Sequence, residues 1–85
     1  MEIKVLGPGC ANCQTLDKLV RETVKEMRIE ANIEHIQDLV KILDYNIIST
    51  PALVINEEVK SSGRVPHKAE IKQMINKAMA GGSKS

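Results

Sequence analysis

The segment GPGCANCQTL, residues 7–16, holds both cysteines of the chain, Cys10 and Cys13, three positions apart. Thiols at this spacing support three kinds of chemistry. A thiolate can attack a disulfide and leave its neighbour to resolve the mixed product. The pair can supply two thiolates to a metal ion such as Cu(I) or zinc. The two residues can also simply pack as small apolar groups. A structural zinc site wants four ligands, and the remaining soft candidates are His35 and His67. His35 falls in a predicted strand far from the cysteine loop, and His67 starts the last helix. Neither stands at a metal-finger spacing, so both read as surface histidines and no metal site is assigned.

The flanking segments place the pair. Residues 2–6, EIKVL, read as a strand stopped by Gly7-Pro8-Gly9. Beyond the cysteines, Leu16, Val20, Thr23, Val24 and Met27 recur at helical spacing, which predicts an amphipathic helix over 11–28. Cys10 then lies ahead of that helix and Cys13 in its first turn. On a regular helix such residues have Cβ atoms roughly 5–6 Å apart. A disulfide needs about 3.8 Å, and the bend at the helix start closes the gap. The helix N-terminus offers unpaired N–H groups and a positive dipole end, and both favour the thiolate.

The rest of the chain reads as a strand at 31–36, a short helix capped by Asp38, a buried strand at 52–55, a turn and an edge strand VKSS. A last helix follows Pro66 and His67, with Ile71, Met74, Ile75, Ala78 and Met79 as its apolar stripe. Glu70 stands where a capping-box acid would. The order β-α-β-α-β-β-α predicts an α/β domain over 1–80 whose first two strands are parallel. GGSKS, 81–85, reads as a flexible tail.

Composition narrows the functions. With 85 residues and 42% hydrophobic content, the chain is one small globular domain with an aliphatic core, having no Phe or Trp and one Tyr. A net charge of +1, with no basic run and no aromatic platform, argues against nucleic-acid binding. No apolar run approaches the ~20 residues that span a bilayer, and MEIKVLG is too short and mixed for a secretory signal. A cytoplasmic monomer is expected, and in that compartment a close thiol pair is reactive rather than a structural staple.

Two separated motifs, VLGPGCANC at 5–13 and IISTPALVIN at 47–56, make the sequence resemble the thioredoxin superfamily. The likeness is to its small, glutaredoxin-sized members of the redox-active disulfide protein 2 type. VKSSGRV resembles the superfamily's fourth strand and the glycine after it. The resemblance covers residues 2–80. It implies a thioredoxin-like fold, a four-stranded mixed sheet flanked by three helices, and thiol–disulfide exchange by Cys10 and Cys13 on protein substrates, recharged by an unidentified reductase. It implies a cis bond before Pro51, with Thr50 and Pro51 shaping the substrate groove. It calls for no cofactor, and no patch suggests glutathione binding. The sequence departs from thioredoxins in having no Trp before Cys10, Ala11-Asn12 between the cysteines, and Lys4 where thioredoxins carry a buried acid. The Lys4 stem is expected to snorkel, with its ammonium in water. The competing class is a ferredoxin-like metallochaperone, β-α-β-β-α-β, holding Cu(I) or zinc on the same thiols; Pro8 stands where that class carries Met.

Overall fold

The computed structural model describes residues 1–47 and 49–81. Its elements are β1 (Glu2–Leu6), α1 (Ala11–Met27), β2 (Asn32–Ile36), α2 (Leu39–Leu43), β3 (Ala52–Ile55), β4 (Glu58–Ser62) and α3 (Lys68–Gly81). This is the expected order. Ile48, part of the second motif, lies outside the described residues. Of the expected tail, Gly81 closes α3, and 82–85 also lie outside the description.

The four strands form one mixed sheet in the order β2-β1-β3-β4. β1 pairs parallel with β2 and antiparallel with β3, and β3 pairs antiparallel with β4. Side chains alternate across the sheet with period two. Ile3 and Val5 of β1, with Leu53 and Ile55 of β3, face Leu16, Val20 and Val24 of α1 and Ile71 and Ile75 of α3. Leu6, Ala52 and Val54 form a smaller cluster on the other face, with Ile36 and with Ile42 from α2. β3 is buried on both faces, which explains its uninterrupted run Ala-Leu-Val-Ile.

Local chemistry sets the helix ends. Asp38 caps α2 by accepting from Val40 N at 2.9 Å, as expected. α1 ends on Arg28 in the left-handed region (φ 56°), whose N–H returns to the carbonyls of Lys25 and Val24. Glu70 reaches back to the backbone N–H of His67 at 3.3 Å, the acidic half of a capping box. Met79, expected in the packed stripe of α3, stays 53% exposed.

Lys4 differs from expectation. It points to the α2 face, and its ammonium pairs with Glu57 Oε2 at 2.6 Å and donates to Tyr45 Oη at 3.0 Å. Water is not its main partner: its side chain keeps only 17% exposure. Glu57 first, then Tyr45, holds the Lys4 pKa well above the ordinary lysine range. The register explains this. Lys4 stands opposite Val54, and the turn after β3 brings Glu57 back over the start of β1.

Candidate active site

The cysteines are joined as a disulfide with Cα atoms 5.1 Å apart. Cys10 is the N-cap of α1, with extended backbone (φ −67°, ψ 167°). Its sulfur accepts from the backbone N–H of Cys13 at 3.3 Å, and its carbonyl accepts from Gln14 N at 3.0 Å. Cys10 therefore occupies the place where a serine or aspartate usually satisfies a first-turn donor. The first turn carries no acidic residue to oppose a negative sulfur. Cys10 is exposed, whereas Cys13 is fully buried.

Burial of Cys13 depends on Gly7. Gly7 follows β1 on the α1 face, and a Cβ there would overlap Cys13 Sγ and stand 2.9 Å from Cys13 Cβ. The same Cβ would lie 3.9 Å from the Cα of Pro51. Gly7, just past the end of β1, thus lies close to both the buried cysteine and the proline. Pro51 is buried, and its bond from Thr50 is cis. Its carbonyl accepts from Gly63 N at 2.9 Å, which extends the β3–β4 pairing to the start of the proline segment.

The loop 7–9 is held from three directions. Gly7 N–H donates to Ile36 O at 2.9 Å. His35 Nε2 lies 3.2 Å from Gly7 O. Gln14 Nε2 donates to Gly9 O at 3.3 Å, and Gly9 itself has φ +100°, a conformation that favours glycine. His35 is consequently neither far from the cysteine loop nor a simple surface residue. Parallel pairing sets Val5 beside His35 and delivers both strand ends to the same edge of the site. His67 is exposed, as expected. Sequence reasoning missed His35 and Gln14 as loop supports; the predicted parallel β-α-β unit sets β1 beside β2 but not the register that puts His35 on Gly7.

Pro8 of the cysteine loop and Thr50, next to the cis proline, share the lining of a groove of about 290 Å³ with Leu39, Ile42, Leu43 and Ile47. Of its lining, Leu39 and Leu43 of α2 stand 61% and 66% exposed. A helix of five residues makes little more than one turn and buries one side, here Ile42, leaving its other apolar groups in solvent. Among the described residues, no group of three or more His, Cys, Asp or Glu side chains is arranged to hold a metal ion. No helix among them is long and apolar enough to cross a membrane.

A mixed sheet with a Cys-x-x-Cys disulfide at the start of the first helix, next to a proline-led strand, defines a thiol–disulfide oxidoreductase. Residues 1–76 match the thioredoxin domain family, to which the chain belongs. It is 43% identical over 76 residues to a thioredoxin of Methanothermobacter thermautotrophicus, covering 89% of this chain and 99% of that one. A probable thioredoxin of Archaeoglobus fulgidus is 32% identical over 78 residues, covering 88% and 85% of the two chains. A thioredoxin of Methanocaldococcus jannaschii is 27% identical over 79, covering 93% and 91%.

Proposed function

We propose that Cys10 is the attacking thiolate and Cys13 the resolving thiol of a dithiol–disulfide exchange with protein substrates, and that Thr50 and Pro51 line the substrate's approach. The observation that carries the assignment is the unequal setting of the two sulfurs. Cys10 is exposed and accepts from the first-turn N–H of Cys13, while Cys13 is buried against Gly7. A thiolate at the first position gains that hydrogen bond and the helix dipole; one at the second would be desolvated.

In the reduced protein, the Cys10 thiolate attacks one sulfur of the substrate disulfide. The other substrate sulfur leaves and takes up a proton. Cys13 then gives up its proton, and its sulfur attacks Cys10 Sγ in the mixed disulfide. The second substrate sulfur leaves and is protonated. Two electrons pass to the substrate, and the protein ends as the Cys10–Cys13 disulfide. An upstream thiol reductant returns the two electrons. Sulfur chemistry suffices for each step, so the mechanism uses no cofactor. The apolar groove beside Thr50 supports a polypeptide substrate, because a side chain flanking the target cystine can leave water there.

Trapping tests this assignment. Cys13→Ser should accumulate mixed disulfides with substrates, and Cys10→Ser should accumulate almost none. Stable adducts on Cys10→Ser alone would reverse the roles.

A further inference from the structure

Both backbone polar groups of Gly7 are taken by the end of β2: its N–H by Ile36 O at 2.9 Å, its carbonyl by His35 Nε2 at 3.2 Å. A carbonyl only accepts, so Nε2 carries the proton in this contact. Gly7 is also the residue whose missing side chain admits Cys13 Sγ. His35 thus bonds to the residue that stands against the buried sulfur.

We propose that His35 is a positioning residue for the dithiol, holding Gly7 against Cys13 so that the oxidised pair is favoured over the reduced one. Opening a disulfide moves the sulfurs on the order of 1.5 Å further apart, from bonded to van der Waals distance. Cys13 is fully buried, and Gly7 stands against its sulfur. Room for the buried thiol comes from rotation of Cys10 outward or from retreat of the Gly7 loop. The His35 bond opposes the second movement. It restrains the dithiol more than the disulfide, and its loss shifts the equilibrium toward the dithiol.

This inference rests on the redox reading above, and the experiment separates the two. Wild type, His35→Leu and His35→Gln are equilibrated in glutathione/glutathione disulfide mixtures. Protein dithiol plus one glutathione disulfide gives protein disulfide plus two glutathione thiols, and the oxidised fraction yields the equilibrium constant. His35→Leu removes the donor, and the Gln side-chain amide replaces it near the Nε2 position. His35→Leu is expected to lower the constant about fivefold, a potential ~20 mV less negative. His35→Gln should stay within about twofold of wild type, since it keeps an N–H donor for the Gly7 carbonyl. A purely structural role would destabilise both redox forms alike and leave the constant unchanged. An unchanged constant in folded His35→Leu overturns the proposal, and so does an equal shift in both variants. Should His35→Leu fail to fold, wild type decides by the ¹⁵N shifts of the His35 ring. A different Nε2 shift in oxidised and reduced protein supports the proposal, and identical shifts overturn it. A wild type that never equilibrates with the glutathione couple would instead sink the redox reading itself.

Discussion

Gly7 and Cys13 fit one another as a vacancy and its filling: a Cβ on Gly7 would stand 2.9 Å from the Cβ of Cys13 and overlap its sulfur. Both residues are buried, so neither yields by swinging into solvent. Gly7→Ala is therefore expected to destabilise the oxidised protein by ~1–3 kcal/mol, the usual cost of overpacking a core. Denaturant unfolding measures it. The coupling is specific: in a Cys13→Ala background, which removes the obstructing sulfur, Gly7→Ala should cost clearly less. Equal costs in the two backgrounds would mean that the clash relaxes elsewhere.

The reduced pair should be chemically unequal, Cys10 being the faster thiol. Cys10 is exposed and its sulfur accepts from the Cys13 N–H, whereas Cys13 has no access to solvent. Cys10 is expected to alkylate first near neutral pH, with an apparent pKa below the ~8.5 of a free thiol. Alkylation rates against pH, with the modified residue identified by mass, check the order. Faster and more acidic behaviour at Cys13 would contradict it.

How much was legible beforehand divides along sequence separation. β1 at Glu2–Leu6, β3 at Ala52–Ile55 and the Asp38 cap were readable because local pattern and capping chemistry fix them. The cysteines were readable because a spacing of three at a helix start is itself local. His35 was not, since its contact with Gly7 spans 28 positions and depends on the β1–β2 register. Lys4 was misjudged for the same reason. Its partners Tyr45 and Glu57 lie 41 and 53 positions away, and an isolated lysine in a strand gives no sign of them.

Three carboxylates give the fold an acid limb. Lys68, then Lys72, holds the Glu26 carboxyl below the usual range; Lys4, then Tyr45, does so for Glu57; Arg64, then the His67 N–H, for Glu70. A lowered folded pKa contributes stability above the unfolded value of ~4.3 and loses it as pH falls through the folded one. Tm of the oxidised protein should therefore drop from about pH 4 downward, and less steeply at high salt because these groups are exposed. Glu57→Gln should have a shallower acid drop than wild type. Parallel curves for the two proteins would show that the Lys4 pair contributes nothing.

The metallochaperone alternative predicts firm metal retention by the reduced chain. The observed order β-α-β-α-β-β-α is not that of the ferredoxin-like chaperones, and two thiolates leave a zinc ion short of its usual four ligands. Reduced protein purified without chelators is expected to hold well under one equivalent of zinc or copper after dialysis. Elemental analysis decides, and stoichiometric metal that shields both thiols from alkylation would revive the chaperone reading.

Leu43 separates protein substrates from small disulfides. It is 66% exposed on the wall of the groove that also contains Pro8 and Thr50. Leu43→Glu should alter stability by no more than ~0.5 kcal/mol, as exposed substitutions do. A carboxylate on that wall must lose its water whenever an apolar side chain of a substrate enters. Reduction of a protein disulfide is accordingly expected to fall about tenfold in kcat/KM, ~1.4 kcal/mol of transition-state binding. A small reagent such as hydroxyethyl disulfide never fills the groove and should be reduced at the wild-type rate. Equal losses with both substrates would point to damage at the cysteines. An unchanged rate with the protein disulfide would remove the groove from substrate recognition.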